Sequence, residues 1–558
     1  MGASSSDSSA APFWWPDEPG PERTVAELLA SRVELRGDAT ALIAPSLLAA
    51  DEAVRAETFV TYAELRERAG RMASVLREAG VGPGDRVGIL LDNDGAIEAA
   101  TTYHASHLLG AINVPLNTRY VARELEYVLG FIEPAAVVFA GAHAERLAAL
   151  RETIPDAALL EAGAGAPSLG SPLGELLAAA APLAHPATPG PDEDADWIFT
   201  SGTTGNPKAV ALTHRGSVAC AYQTVGAWGL DPDSVYQSFA PFFTSTGCHS
   251  NPLSCLAAGC AFVIEPEFDV QASLDRIERH GTTSIFLINT VLSLILERRT
   301  PEELAAYDFS ALRRVCYGAQ PSSPAFYHRI QKDIGEAWGV ELVNIYGLTE
   351  GGTTGIYLSD ADHAEAMKRI GPYGISIGRN GFRDWVEWTV LREEDDAPAA
   401  PNEVGELCVK GPSTMDRYVG RPEETARALR DGWLHTGDSA LLDDAGFLFF
   451  VDRNKQMIRR GGLNISSAEV EGVLLEHPGV LEVAVVPLPN PVLGSDVRGV
   501  VVPADPRPTP EELIAFCAER LADYKVPTQI DFIDALPRNG MNRVMKGVLT
   551  GEREALSS

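Results

Sequence analysis

Trp197-Ile-Phe-Thr-Ser-Gly-Thr-Thr-Gly-Asn-Pro-Lys208 is the stretch from which the fold reads outward. Its apolar run, Trp197 to Phe199, reads as the end of a buried strand. The strand empties into a loop holding two glycines, four hydroxyl residues, a proline and a lysine. Gly202 and Gly205 let the backbone fold tightly and turn N–H groups toward an anion with no Cβ in the way. Thr200, Ser201, Thr203 and Thr204 add short donors, and Lys208 adds a point charge suited to phosphate. A phosphate cradle is the preferred reading over a plain surface turn rich in Gly and Thr.

The loop is not the familiar P-loop, in which Lys directly follows the second Gly and precedes Ser or Thr. Here two residues separate Gly205 from Lys208, and Ala209 follows. At 558 residues the chain is too long for one core and should hold two or more domains. Its net charge of −32 argues against nucleic acid and against anionic membrane surfaces as partners. No run approaches the roughly 18 apolar residues of a membrane span. Seven scattered cysteines contain no C-x-x-C pair, so neither a disulfide framework nor a zinc site follows and a reducing cytoplasm is expected. The N-terminus, Met-Gly-Ala-Ser-Ser-Ser, matches a short myristoylation pattern at Gly2 and Ser6, but its Ser/Ala-rich composition reads as a disordered start over 1–23.

Thr61-Tyr-Ala-Glu64 is a capping box opening a helix whose apolar face carries Leu65, Ala69, Met72, Val75, Leu76 and Ala79. Apolar strands are expected at Val87–Leu91, Ala136–Ala140, Ala261–Ile264, Ser284–Ile288, Arg314–Tyr317 and Glu341–Tyr346, separated by helical stretches such as Ala96–Leu109. That alternation indicates α/β with mostly parallel sheets. Residues 141–195 thin into Ala, Gly and Pro and read as a helix and a loose connection. From about 379 the pattern turns to alternating strands, a β-rich subdomain with Gly405–Lys410 and Gly446–Val451. After Arg453 a small α+β unit begins: helix Ser467–Glu476, strands Val480–Val486 and Val497–Val502, and a second capping box at Thr509-Pro-Glu-Glu512. The expected domains are thus 24–454, binding ATP and acid, and a mobile C-terminal domain at 455–558.

Three further stretches carry chemistry. Asn344-Ile-Tyr-Gly-Leu-Thr-Glu350 follows an apolar strand, so its polar residues fall where open α/β sheets bind ligands. Thr349 and Glu350 could meet a nucleotide phosphate and its Mg²⁺, although a glutamate after a strand is commonly just solvated. In Asp431-Gly-Trp-Leu-His-Thr-Gly-Asp438 a carboxylate in a tight Gly-bounded turn could accept from both ribose hydroxyls, or serve as an ordinary Asx-turn residue. Asp452-Arg-Asn-Lys-Gln-Met-Ile458 supplies Arg453 and, at the join between domains, Lys455.

These four motifs, T-S-G-T-T-G-N-P-K, Y-G-L-T-E, G-W-L-H-T-G-D and D-R-N-K-Q-M-I, resemble in sequence and order those of the AMP-forming adenylating superfamily. That superfamily includes acyl-CoA synthetases, luciferases and peptide-synthetase adenylation domains. Glu403-Val-Gly-Glu-Leu407 resembles the family too, and the likeness runs over roughly 24–550. It implies that Thr200 to Lys208 embraces the β- and γ-phosphates of ATP, with Thr204 and Glu350 among the catalytic groups and Glu350 on Mg²⁺. It implies that Gly318, Ala319 and Gln320 flank adenine, that Tyr346 and Thr349 face the nucleotide, and that Asp438 and Arg453 hold the ribose. Lys455 takes the hinge position, and Phe243, Thr244, His249, Asn289 and Gly347 the acid pocket.

The chain departs from the family at three places. The family closes with P-x-x-x-x-G-K, where this chain reads Pro537-Arg-Asn-Gly-Met-Asn-Arg-Val-Met-Lys546, so Arg543 falls where the lysine is expected. Arginine is no simple replacement for a compact point charge, which leaves Arg543 and Lys546 as alternative catalytic cations. Thr244 stands where many relatives carry His, and Asn289 where Pro is usual. With Phe243, His249 and Gln320 these make a polar acid pocket, although a lone His249 is more often a satisfied structural residue. The resulting expectation is activation of a small or aromatic, polar-substituted acid by ATP and Mg²⁺, with CoA as acceptor, in a monomer or homodimer. The alternatives are an amine acceptor, or activation of nitrite to diazotise an aryl amine.

Overall fold

The structure is a computed structural model that describes residues 23–49, 51–163, 167–200, 207–318, 324–352, 355–369, 375–381, 386–392, 394–453, 458–460, 463–490, 494–521, 523–538 and 544–551. Two large sheets organise the N-terminal part. In the first, Arg86–Leu90, Ile112–Pro115, Ala136–Ala140, Ala158–Ala162 and Asp194–Thr200 run parallel, and Lys208–Thr213 turns back antiparallel to the last of these. In the second, Thr40–Ala44, Ala261–Ile264, Val235–Ser238, Ser284–Ile288, Arg314–Gly318 and Glu341–Tyr346 are parallel, with antiparallel strands at both edges. These match the apolar runs, because a strand covered on both faces has no place for polar alternation.

Helices fill the space between the sheets. All 14 residues of Ala96–Leu109 are buried, and this helix and His214–Trp228 pack against both sheets. The sequence of Ala96–Leu109 is mixed, so Glu98, Thr101, Thr102, His104, Ser106 and His107 are buried along with its apolar residues. The helix Tyr62–Glu78 begins at the expected capping box: the Glu64 N–H donates to Thr61 Oγ1 at 3.2 Å and the Thr61 N–H to Glu64 Oε2 at 2.8 Å. Leu65, Ala69, Met72, Val75 and Leu76 are buried in the same core cluster, while Ala79 is half-buried at the helix end.

The stretch 141–195 is more ordered than its composition suggests. Ala158–Ala162 adds to the sheet beside Ala136–Ala140, and Ser171–Pro172 follows it. Ala-Leu-Leu-Glu-Ala has no strong preference of its own; pairing with a neighbouring strand decides it. Glu161 then pins the following loop by accepting from the N–H groups of Ser168 at 2.9 Å and Leu169 at 2.7 Å.

A smaller antiparallel sheet holds Glu387–Leu391, Val404–Lys410, Trp433–Leu442 and Leu448–Arg453. The small C-terminal unit pairs Val480–Asn490 with Gly494–Pro503, backed by the helices Ser467–Leu475 and Pro510–Ala518. Its second helix starts at the Thr509–Glu512 capping box. Among the described residues no helix is long and apolar enough to cross a membrane.

Candidate active site

Thr200 and Lys208 are register partners, so the first hydroxyl residue of the glycine-rich stretch and its lysine face each other across one antiparallel pair. Ser201, Gly202, Thr203, Thr204 and Gly205 lie outside the described residues. Four residues upstream, fully buried Asp196 anchors the strand: Tyr103 Oη donates to its carboxylate at 3.0 Å, and His107 Nε2 stands 3.5 Å away. His249 joins this cluster rather than an open surface. Its Nε2 meets Ser217 Oγ at 3.0 Å, and burial pushes the ring below its ordinary pKa. Asp196 carries no motif signal, and only the strand pairing reveals it.

The Lys208 ammonium is already engaged. It forms an ion pair with Glu424 and lies 5.0 Å from the centre of the Tyr418 ring. Both partners arrive because Arg417–Tyr418 pairs along the edge of Lys208–Thr213, with Tyr418 opposite Val210. Tyr418 Oη donates to Glu350 Oε1 at 2.9 Å, so one ring links the loop lysine to the expected metal ligand. Burial works against the Glu424 charge, but Lys208 and Arg421, the latter at 2.7 Å, hold its carboxyl below the usual range.

The other side of the site is built at the carboxyl ends of three parallel strands in register. Ile288 pairs with Gly318, and Gly318 with Ile345, which brings Asn289, Gly318 and Tyr346 to one edge. Gly318 is required there, since a Cβ would stand 2.2 Å from the Ile345 carbonyl oxygen. Asn289 is buried as the first residue of the helix Asn289–Arg298, and Gly347 is exposed just past its strand. Ala319 and Gln320 lie outside the described residues. Tyr346 Oη donates to Asp438 Oδ2 at 2.6 Å, and Asp438 is the register partner of Arg453. Asp438 is not in a turn: it lies inside the strand Trp433–Leu442, where an irregularity carrying Gly437 at φ 73° imitates a turn in sequence. Thr349 meets Ser245 hydroxyl to hydroxyl at 2.9 Å, tying this edge to the loop that carries Phe243 and Thr244.

That loop is set by a residue the motifs do not mark. Buried Asn93 accepts from the Phe242 N–H at 2.9 Å and donates to the carbonyls of Ala240 at 3.2 Å and Glu265 at 2.9 Å. Thr244 Oγ1 donates to the Pro241 carbonyl at 2.7 Å and accepts from the Gly247 N–H at 3.1 Å. Phe243 is buried beside it. Thr244 and His249 thus spend polar atoms inside the protein, which narrows the polarity offered to a ligand.

Lys546 is held within the C-terminal unit, its Nζ 2.7 Å from Glu471 and 2.6 Å from Ser467 Oγ. Arg543 and Lys455 lie outside the described residues. Among the described residues, metal-ligand types gather at Glu406, Cys408 and His435, but Arg430 Nη2 stands 2.7 Å from His435 Nδ1, so a guanidinium holds the place a cation would take.

Proteins of known family resemble this chain in sequence and fold. Residues 29–419 match the family model of the AMP-binding enzymes, and 469–542 that of their C-terminal domain. Feruloyl-CoA synthase from an Amycolatopsis species is 36% identical over 495 residues, spanning 88% of this chain and 93% of that protein. ATP-bound MatB from Rhodopseudomonas palustris superposes with a TM-score of 0.81 at 27% identity, covering 94% of this chain and 98% of its own. The amide bond synthetase McbA from Marinactinospora thermotolerans gives 0.80 at 29% identity, covering 95% and 99%. The chain belongs to the AMP-forming adenylating superfamily and is an AMP-forming ligase.

Proposed function

We propose that the enzyme activates a small or aromatic, polar-substituted carboxylic acid as its adenylate and then transfers the acyl group to CoA. The observation that carries the reading is the linkage of Lys208, Tyr418 and Glu350, together with the separate Tyr346–Asp438 hydrogen bond. In the first step a carboxylate oxygen attacks the α-phosphorus of ATP and the bond to the β-phosphate breaks, releasing pyrophosphate. In the second the CoA thiol, losing its proton, adds at the acyl carbon and AMP leaves. The chain's part is positioning and charge: Lys208 faces the phosphates, Asp438 and Arg453 the ribose, and the Phe243–Thr244 turn the acid. Glu350, whose carboxylate accepts from Tyr418 Oη, is a hard oxygen donor that suits Mg²⁺, which when bound would neutralise phosphate charge. Arg543 in place of the family's lysine, and Lys546 tied to Glu471, support a C-terminal cation used differently from the family pattern.

A second reading, transfer to an amine, is favoured by the likeness to an amide bond synthetase. Pyrophosphate release across a panel of acids, ferulate and nitrite included, followed by mass spectrometry with CoA or an amine, decides between them. A thioester formed from an aromatic acid is the expected product. Release with nitrite alone, or an amide without thioester, overturns the CoA reading.

A further inference from the structure

The helices Tyr62–Glu78, Ala96–Leu109 and Leu173–Ala179 enclose a cavity of about 290 Å³ that shares no lining residue with the site described above. Its volume would hold roughly ten waters and sits at the lower edge of small-molecule sites. The walls are apolar, formed by Leu48, Met72, Ile97 and Leu177. At the floor Glu98 has both carboxylate oxygens engaged, one by Ser46 Oγ at 2.5 Å and the other by the Leu47 N–H at 3.0 Å. Beside it the buried Thr101 hydroxyl finds no partner among the described residues.

Two arginines line the same cavity, and they differ. Arg71 is spent: its guanidinium donates to Glu67 Oε1 at 2.9 and 3.2 Å and to the Ala180 carbonyl at 2.8 Å. Arg68 is exposed and has neither a hydrogen bond nor an ion pair among the described residues. In a chain of net charge −32, an unpaired guanidinium over an apolar cavity is a local site of the opposite sign.

We propose that this cavity is a second ligand site, for a small monocarboxylate with an apolar tail, distinct from the site where the acid is activated. The carboxylate pairs with Arg68 at the mouth, in the fork geometry that guanidinium offers. The tail lies against Leu48, Met72, Ile97 and Leu177, and the engaged Glu98 carboxylate keeps a second anion away from the floor. Occupancy would brace three helices of the N-terminal core. The assignment does not depend on which acid the ATP site takes.

Titration calorimetry with hexanoate and with neutral hexan-1-ol tests it on the full chain, using wild type, Arg68→Gln and Ala178→Phe. Arg68 and Ala178 are exposed, so neither change should disturb folding. One hexanoate should bind per wild-type chain, and at least about tenfold more weakly to either variant. Hexanol should bind wild type and Arg68→Gln alike. Without hexanoate, both variants should release pyrophosphate at the wild-type rate. Absence of hexanoate binding up to about 10 mM overturns the site. So does equal hexanoate binding by all three proteins. Loss in Ala178→Phe alone overturns the assignment of a carboxylate.

Discussion

If Glu424 stands beside the phosphates of ATP as it now stands beside Lys208, its charge should become visible when the lysine is removed. Lys208→Gln takes away a charge-assisted contact of about 1.5–3 kcal/mol. It also leaves Glu424, only 20% exposed, facing the phosphates without its partner. At about 6 Å and an effective dielectric near 20, two like charges repel by about 3 kcal/mol. Screening at physiological salt roughly halves this, since the Debye length is about 8 Å. Arg421, at 2.7 Å from Glu424, lowers it further, to about 1 kcal/mol. ATP binding by Lys208→Gln should therefore weaken by roughly two to three orders of magnitude. Adding Glu424→Gln should recover about fivefold of the loss. Calorimetric ATP affinities of the two single variants, the double variant and wild type form the cycle that isolates this coupling. A double variant that binds ATP no better than Lys208→Gln refutes the placement of Glu424 against the phosphates.

Three other outcomes follow from the same geometry. Tyr418→Phe keeps the ring under Lys208 but removes the 2.9 Å bond to Glu350. The Mg²⁺ concentration for half-maximal rate should rise about threefold to tenfold in a steady-state titration, a fraction of what a bond to a charged group is worth. Asn93→Ala leaves the Phe242 N–H without its partner, so denaturant unfolding should show a loss of about 1–3 kcal/mol, with KM for the acid rising more than KM for ATP. Burial pushes the rings of His104 and His214 down to about 3. A folded pKa below the unfolded value of about 6.5 adds stability that is complete above that pH and lost on acidification toward 3. By about pH 5 each ring should cost roughly 2 kcal/mol, and His104→Gln/His214→Gln should flatten the fall in urea-unfolding stability between about pH 7 and pH 5.

How much of this was legible in sequence depends on the range of the interaction. The strands Ala136–Ala140, Ala261–Ile264 and Ser284–Ile288 coincide with their apolar runs, because burial on both faces writes itself into consecutive residues. The capping boxes at Thr61 and Thr509 read equally well, since the hydrogen bonds span three residues. Ala158–Ala162 was hidden by residues as suited to a helix as to a strand. Glu424 was hidden differently. Following Pro422 in the first turn of the helix Pro422–Ala428, it reads as an acid favoured by the helix dipole. Its place beside Lys208 exists only because Arg417–Tyr418 pairs with a strand some two hundred residues earlier in the chain. Asp438 shows the opposite error, a local Gly signal read as a turn when long-range pairing makes it a strand.

The central claim is that the carboxylate itself attacks the α-phosphorus of ATP. Transfer of ¹⁸O from a doubly labelled carboxylate, with whichever acid supports pyrophosphate release, tests it most directly. One ¹⁸O should appear in AMP, and none in pyrophosphate or inorganic phosphate. Label in inorganic phosphate or pyrophosphate, or AMP free of label while acid is consumed, would contradict the account.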